Sequence, residues 1–319
     1  MNDPAEGHHT ATSCIYGIGA DSLPYLACGL FAKARRIPLA VGQDAAAILA
    51  QVGPEVRWFV WHTYFTFKDN IPRDRAVLSQ RLRQRGIHSI NEGVTDVSKR
   101  HTQAVLSQLD LPTTIAAPEG DPDELLFFKS NHNFGGIPEK RLSQDLLDFF
   151  GIARPHPSTP DFSDYRVAKR REFPRENFEN EDLFFERFVA NEGNLFYRAF
   201  VVFDAVVLSK LECKGVIKKA LEAHRRDDYL LSFSDVETGF SSAPDALSRR
   251  IMADLERFCR ALKLDLGGVD VLLDDQGVPH VIDANPTPFG GPNLDRPGFL
   301  EHLLKGLQDH ADLMESRTT

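Results

Sequence analysis

Residues 267–286 read GGVDVLLDDQGVPHVIDANP and predict a β-hairpin that carries acidic side chains. Two apolar strands flank the turn at residues 274–277 (Asp-Asp-Gln-Gly), which is a strong hairpin signal. The simplest register pairs Leu273 with Val278 across the turn. This register fixes which side chains share a face, because residues opposite each other in a hairpin point to the same side of the sheet.

The acidic residues of this hairpin are spaced for a metal site. In the register above, Asp270 lies opposite Val281, and Asp283 is its diagonal neighbour at about 7–8 Å along the backbone. Asn285 points to the same face as Asp283 because side chains alternate along a strand. Two carboxylates and an amide carbonyl offer only hard oxygen ligands, which suit Mg²⁺ rather than zinc. The alternative is a hairpin with solvent-facing acids, but the flanking residues are apolar and an unpaired carboxylate among them would be costly.

The composition is that of an ordinary globular protein and excludes several classes. The 319 residues are 42% hydrophobic and 26% charged, with a net charge of −9, which argues against a general nucleic-acid-binding surface. No apolar run approaches the roughly 18 residues of a membrane span, and the N-terminus shows no signal peptide. The four cysteines form no CxxC pair, so a disulfide framework or zinc site is not expected. We expect a cytoplasmic protein without nucleic-acid or membrane partners.

The first hundred residues alternate apolar strands with amphipathic helices, which predicts βαβ units and a mostly parallel sheet. Strands are predicted at 14–18, 39–41, 57–61 and 87–90, and helices at 22–34, 45–51 and 73–85. The turn at 17–22 begins like a dinucleotide fingerprint, but Ser22 occupies the third glycine position. A tight turn between strand and helix is the simpler interpretation.

A lysine followed by a glycine loop marks a second candidate site. Lys129 ends a predicted strand at 124–130, and the loop from Asn131 closes on Gly135 and Gly136. A lysine supplies a point charge for phosphate, and a glycine loop lets backbone N–H groups approach its oxygens. No GxxxxGK[ST] motif occurs, so this is not a Walker loop. A surface lysine is the commoner explanation, but the acidic hairpin downstream favours a nucleoside triphosphate.

The order of these segments resembles the ATP-grasp superfamily. The matching residues are Lys99 at a helix start, Lys129 with the loop 131–136, the strand 186–189, Arg198, and Asp270 with residues 283–286 (Asp-Ala-Asn-Pro). The resemblance covers the whole chain and is greatest to the ligase branch that includes D-alanine–D-alanine ligase, glutathione synthetase and the RimK-like enzymes. It implies an α/β fold that becomes α+β in the C-terminal half. A Rossmann-like domain (1–97) would precede two subdomains, 98–183 and 184–319, that clasp ATP.

The resemblance also implies roles for individual residues. Nucleotide contacts would come from Lys99, Lys129, Asn131, Gly135 and Gly136, from Glu186, Phe188 and Val189 beside adenine, and from Glu192 beside ribose. Catalysis would involve Lys129 and Arg198, of which Arg198 would meet the terminal phosphate or the reacting acyl group. The metal, Mg²⁺ or alternatively Mn²⁺, would be held by Asp270, Asp283 and Asn285.

Three features depart from the superfamily pattern. The metal-bridging acid is usually Glu, and here it is Asp283. The stretch before Glu186 looks long because of the Pro-rich and basic segment 153–175, which either receives an anionic substrate or forms a solvated face. The Arg-x-Asn…Gly-Gly signature of RimK-like enzymes has no clean counterpart. Arg225 or Arg226 either replaces its arginine or is a solvated charge.

The implied activity is that of an ATP-dependent ligase that joins a small-molecule carboxylate to an amine through an acylphosphate. No Ser–His or Cys–His signature is convincing, and this chemistry needs no protein nucleophile. A homodimer is implied by the resemblance alone. Two other classes stay open, namely a kinase that phosphorylates a hydroxyl and an ATP-binding regulatory module with little turnover. His132 either contacts phosphate or substrate or is a plain loop histidine.

Overall fold

The computed structural model describes residues 13–17, 25–161, 163–218, 222–238 and 245–316. Its strands are β1 (Ser13–Tyr16), β2 (Arg35–Ile37), β3 (Trp58–Trp61), β4 (His88–Ile90), β5 (Leu125–Ser130), β6 (Arg166–Lys169), β7 (Leu183–Arg187), β8 (Leu195–Val202), β9 (Ala205–Glu212), β10 (Arg225–Ser232), β11 (Leu266–Leu273) and β12 (Pro279–Asn285). Its helices are α1 (Leu26–Leu30), α2 (Ala45–Leu49), α3 (Arg75–Gln84), α4 (Lys99–Gln108), α5 (Ile137–Arg141), α6 (Gln144–Phe150), α7 (Ser234–Thr238), α8 (Ala246–Leu262) and α9 (Phe299–Ser316). No helix in these ranges is both long and apolar enough to cross a membrane.

The N-terminal sheet has the strand order β2-β1-β3-β4, and all its strands are parallel, as the alternation of strands and helices predicts. The predicted second strand at 39–41 is wrong, since β2 comes earlier and pairs Arg35–Ile37 with Cys14–Tyr16. Pro38 follows at once and lacks the N–H that would continue the ladder. Only Gly17 of the predicted turn at 17–22 lies within the described residues.

The central sheet is small and antiparallel, with the order β6-β5-β7. Its core is aromatic: Phe178 stacks on Phe185 with ring centroids 4.1 Å apart, and Phe173 lies edge-on to Phe185 at 5.0 Å. This core supports β5, whose last residues include Lys129.

The C-terminal sheet has the antiparallel order β10-β9-β8-β11-β12 and is covered differently on its two faces. One face packs against α8, which buries Ile251, Leu255, Phe258 and Leu262. The other face packs against α1 and α9 around Phe200. On this second face, the residues at the other end of β8 belong to a separate small apolar cluster. The charged side chains that lie between the two clusters are therefore not covered by α1 or α9.

Asn91 joins the N-terminal sheet to the acidic hairpin. It has a positive φ of 61°, and its amide group donates to the carbonyl of Leu266 at 2.7 Å and to that of Pro286 at 3.4 Å. Its side-chain oxygen accepts from the backbone N–H groups of Asp265 and Leu266 at 2.9 and 3.0 Å. Asn91 therefore fixes the first strand of the hairpin, and the residue after its second strand, against the end of β4.

Candidate active site

The acidic hairpin forms from β11 and β12, but the predicted register is wrong. Asp270 pairs directly with Asp283 rather than with Val281. The turn is one residue longer than expected, so that Leu273 pairs with Pro279, and a β-bulge at residue 282 shifts the register once more. The two carboxylates consequently lie side by side on one face, closer than the predicted diagonal.

These two residues begin a row of polar side chains that crosses the whole C-terminal sheet. Asp283, Asp270, Arg198, Ser209 and Asp228 occupy consecutive paired positions on β12, β11, β8, β9 and β10. Directly paired residues point to the same face, so the five side chains share it; we call them the polar row. Within the row, Arg198 donates two hydrogen bonds of 2.7 Å to the two carboxylate oxygens of Asp270.

Lys99 reaches the polar row from helix α4. The helix begins at Lys99 because Ser98 caps it, as the sequence predicts, and the Lys99 ammonium donates to the carboxylate of Asp283. Burial acts to raise the pKa of Asp283. The positive charges of Lys99, Lys129 and Arg198 outweigh burial and hold this pKa below its ordinary value, so the carboxylate is ionised.

Lys129 is buried between the central sheet and the hairpin. Its ammonium lies 2.8 Å from a carboxylate oxygen of Glu186 and donates to the carbonyl of Ile282 at 3.1 Å. Ile282 is the bulged residue of β12, so the bulge directs a carbonyl toward this lysine. The second carboxylate oxygen of Glu186 accepts from the hydroxyl of Thr114 at 2.7 Å. Two lysines from different elements thus converge on the same hairpin.

Of the residues expected beside adenine and ribose, Glu186 belongs to β7 and the others lie beyond the end of this strand. This strand stops at Arg187, and Phe188 continues with one backbone hydrogen bond to Leu125 at 2.9 Å. Val189 is half-buried, and the Glu192 side chain is exposed. The backbone N–H of Glu192 donates to Asp275 in the hairpin turn at 2.7 Å, which ties this segment to the hairpin.

The glycine loop after β5 has an unusual backbone. Phe134, Gly135 and Gly136 have φ values of 49°, 66° and 70°, a conformation that favours glycine. A side chain at position 136 would lie 3.3 Å from the ring of Pro155. Asn131 ties the loop to helix α4, because its side-chain oxygen accepts from the backbone N–H of Arg100 at 3.0 Å. The loop is therefore held by its own backbone conformation and by a hydrogen bond to a neighbouring helix.

His132 is held inside the protein. One ring nitrogen lies 2.7 Å from a carboxylate oxygen of Asp182, and the other lies 3.3 Å from the hydroxyl of Thr66. Burial acts to lower the pKa of His132, but Glu139 and Asp182 outweigh burial and raise it. Of the two alternatives for this residue, the contacts favour a structural role that joins the glycine loop to the segment after β3.

Four cations of the basic segment after residue 165 form ion pairs with neighbouring acids. Lys169 and Arg171 each lie 2.9 Å from Asp123, and the remaining pairs are Arg170 with Glu124 and Arg175 with Glu119. These contacts favour a solvated face over a receptor for an anionic substrate.

Strand β10 distinguishes the two arginines that the sequence left open. Arg226 is largely buried and donates hydrogen bonds of 2.7 Å to Asp228 and to the hydroxyl of Ser209, both members of the polar row. Arg225 is exposed and lies 3.6 Å from Glu212. Arg296, from the segment after the hairpin, also binds Asp228, at 2.7 Å. Sequence reasoning missed Ser209, Asp228 and Arg296, and the only signal for them was the spacing Arg226-x-Asp228.

The donor set of the hairpin suits magnesium. In the part of the chain that the structure describes, no group of three His, Cys, Asp or Glu side chains is placed to hold a metal ion. Asp270, Asp283 and the amide oxygen of Asn285 instead offer two carboxylates and a carbonyl, of which the amide oxygen also accepts from the N–H and the hydroxyl of Thr287 at 2.9 and 3.0 Å. Mg²⁺ is commonly held by one or two carboxylates together with substrate phosphates and water. These residues therefore fit a metal that arrives with a nucleotide.

Comparison with known proteins identifies the fold. No protein-family model matches the sequence, and no curated protein matches it. The ATP-grasp ligase PsnB complexed with minimal precursor is similar at a TM-score of 0.52 and 12% identity, over 93% of this chain and 99% of that chain. PsnB complexed with minimal precursor, Mg and ADP is similar at a TM-score of 0.50 and 13% identity, over 93% of this chain and 97% of that chain. The D-cycloserine synthetase DcsG is similar at a TM-score of 0.50 and 13% identity, over 93% of this chain and 99% of that chain. The chain therefore has the ATP-grasp fold that the sequence motifs predict.

Proposed function

We propose that this chain is an ATP-dependent carboxylate–amine ligase that forms an amide or peptide bond and releases ADP and phosphate. The observation that carries the proposal is the convergence of the cations Lys99, Lys129 and Arg198 on the in-register carboxylates Asp270 and Asp283. The names of the similar structures, an ATP-grasp ligase and a synthetase, support the same class.

The ion pairs of the site suggest how it receives Mg²⁺ and ATP. Lys99 and Arg198 each bind a carboxylate of the hairpin, and Lys129 binds Glu186. When phosphates and Mg²⁺ enter together, the cations can turn to phosphate oxygens while the carboxylates and Asn285 hold the metal. The metal supplies charge stabilisation at the transferring phosphoryl group. The charges that pair with one another in the structure would thus also bind the nucleotide and its metal.

The chemical steps balance without a protein nucleophile. An oxygen of the substrate carboxylate attacks the γ-phosphorus, the bond from phosphorus to the bridging oxygen breaks, and ADP leaves. The nitrogen of the amine then attacks the acyl carbon, the carbon–oxygen bond to phosphate breaks, and inorganic phosphate leaves. The proton that the amine loses passes to phosphate or solvent. In this proposal Arg198 neutralises the negative charge that develops in both steps.

Nucleotide binding is tested by thermal unfolding. A ligand that binds only the native state stabilises it by mass action, by about 2.7 kcal/mol at 100 times its Kd. We expect Mg·ATP and Mg·ADP to raise the melting temperature. No response at millimolar concentrations would contradict the proposal.

The ligase chemistry is tested by trapping. Amino acids and small carboxylic acids are first screened, singly and in pairs, for stimulation of ADP and phosphate release. Hydroxylamine should then replace the natural amine and yield a hydroxamate in an ATP-dependent reaction. A stable phosphate ester without hydroxamate would identify a kinase instead, and neither product would indicate a regulatory module.

A further inference from the structure

Six buried polar atoms without a hydrogen-bond partner come from one end of the N-terminal sheet. They are the Tyr16 hydroxyl, the Trp61 indole nitrogen, both ring nitrogens of His62, the Thr63 hydroxyl and the Lys68 ammonium, and no described residue is a partner for them. We call these five residues the buried donor cluster. They account for six of the fifteen such atoms found among the described residues, although the large majority of buried side-chain polar atoms in proteins have a partner.

The buried donor cluster lies where the N-terminal sheet changes its strand order. Strand β1 lies between β2 and β3, so the chain passes from one side of β1 to the other. Tyr16 ends β1 and pairs directly with Trp61, which ends β3. A side chain at Gly17 would come within 2.6 Å of the His62 carbonyl oxygen and 2.7 Å of the Thr63 side chain, so the two strand ends approach closely. In open α/β sheets, ligands bind at the carboxyl ends of the strands at such a switch point.

Arg75 lies next to several members of the cluster. Its guanidinium carbon is 4.3 Å from the centre of the Trp61 ring. Burial, and after it the charge of Arg75, lowers the pKa of Lys68 far below its usual value. Burial, and after it the charge of Lys68, lowers the pKa of His62 to about 3, so His62 is neutral and one of its ring nitrogens carries a proton. The groups are therefore near enough to act on one another.

The cluster has donors and positive charge but no counter-charge of its own. Among the described residues, Arg75 is the one charge that shifts the pKa of Lys68, and it is also a cation. The carboxylate of Asp74 accepts from the backbone N–H of Ala45 with both oxygens, at 3.0 and 2.9 Å. Arg75 itself donates to the backbone carbonyl groups of Lys68, Ile71, Asn91, Glu92 and Val94. Water satisfies single donors but leaves the ammonium charge uncompensated, whereas an anion provides both the acceptor and the charge.

We propose that the buried donor cluster binds one small monovalent anion, of the size of chloride, bromide or nitrate, beside the Lys68 ammonium. The five residues are each at most 1% exposed, so the site is closed and takes an ion that does not extend to the surface. The anion stabilises the ends of β1 and β3 against each other. The inference is independent of the proposed function, because no member of the cluster belongs to the candidate active site.

Thermal unfolding at constant salt concentration tests for the anion. The wild-type protein is measured in sodium gluconate, whose anion is too large for a closed site, and gluconate is then replaced by chloride, bromide or nitrate. We expect at least one small anion to raise the melting temperature by roughly 3–8 °C, which is the shift for a ligand at about 100 times its Kd in a protein of this size. No rise with any of the three anions would overturn the inference.

The variant Lys68→Met assigns the effect to the ammonium. It should be more stable than the wild type in gluconate, and its melting temperature should not rise with the small anions. Lys169→Met is the matched control, because Lys169 is 42% exposed and binds Asp123 on the central sheet, and it should respond like the wild type. If Lys68→Met gains as much from the anions as Lys169→Met does, a general effect of the salt explains the rise and the assignment is wrong.

Bromide locates the anion in the wild type without any variant. Bromide scatters X-rays anomalously, so crystals soaked in a bromide salt report the position of each bound ion directly. We expect an anomalous peak in contact with the Lys68 ammonium. Peaks at the protein surface alone would show an adventitious ion only and would overturn the inference.

Discussion

Removal of Lys129 should both destabilise the protein and prevent nucleotide binding. The Lys129 and Glu186 side chains are 7% and 6% exposed, and their charged atoms are 2.8 Å apart. Breaking a buried ion pair costs about 3–5 kcal/mol, because the remaining charge is left without compensation. Thr114 binds only one oxygen of Glu186, so it does not replace the lysine. We therefore expect Lys129→Met to lower the free energy of unfolding by about 3–5 kcal/mol, measured by urea denaturation.

A second substitution separates stability from binding. In the double variant Lys129→Met with Glu186→Gln, no buried charge is left unpaired, so most of the lost stability should return. Nucleotide binding should not return, because the ammonium that we propose to contact phosphate is still absent. The measurement is the rise in melting temperature on addition of Mg·ADP, which we expect to be lost in both variants.

Lys169 provides the control for this experiment. It also ends a strand of the central sheet and binds an acid, Asp123, at 2.9 Å, but the two side chains are 42% and 54% exposed. Exposed pairs contribute about 1 kcal/mol or less, so Lys169→Met should change stability little and retain the Mg·ADP shift. If Lys129→Met is no more destabilised than Lys169→Met, or responds to Mg·ADP like the wild type, the reasoning about Lys129 is wrong.

Three further substitutions test other buried charges. Asp283→Asn should reduce turnover at least about 100-fold while weakening Mg·ADP binding less, because the metal acts most strongly as charge moves; an unchanged rate of ADP release would refute this role. Burial raises the pKa of Asp265 to about 6, so the wild type loses stability as the pH rises through that value. Between pH 4 and pH 7.5, the free energy of unfolding of Asp265→Asn should therefore rise by up to roughly 3 kcal/mol relative to that of the wild type, measured by urea denaturation. A difference in the free energy of unfolding between the two proteins that does not change with pH would contradict this pKa. The Lys68 ammonium is buried, has no hydrogen-bond partner among the described residues, and has a pKa far below its usual value because of burial and the nearby Arg75. Lys68→Met should therefore raise the free energy of unfolding by about 1–3 kcal/mol, and a less stable variant would show that the ammonium is stabilised in the fold.

Local sequence patterns predicted the elements of the fold better than their pairing. The alternation around residues 267–286 predicted the hairpin, and Ser98 predicted that a helix begins at Lys99. The register of the hairpin was wrong because turn length and the bulge at residue 282 depend on contacts outside the hairpin, such as the hydrogen bond from Lys129 to the bulged carbonyl. Such contacts join residues far apart in sequence, and no local pattern encodes them.

The loop residues show a similar limit for side-chain roles. Asn131 and His132 stand beside Gly135 and Gly136, so their position in sequence suggested contact with a ligand. In the structure both side chains make contacts within the protein: Asn131 binds the backbone of Arg100, and His132 binds the carboxylate of Asp182. A polar residue next to a glycine loop can bind a ligand or hold the loop in shape, and only the three-dimensional contacts distinguish the two.

The polar row explains why the hairpin end of the candidate site was predictable and the β10 end was not. Asp270 and Asp283 belong to one hairpin, so a local stretch of twenty residues is enough to predict that they lie close together. Ser209, Asp228 and Arg296 belong to three separate segments, which meet only because β9 and β10 pair and the segment after the hairpin returns to β10. A cation–anion cluster built in this way has no sequence motif beyond Arg226-x-Asp228. The cluster lies beside Arg198 only because Arg226 binds Ser209, which is the residue that pairs directly with Arg198 on the neighbouring strand.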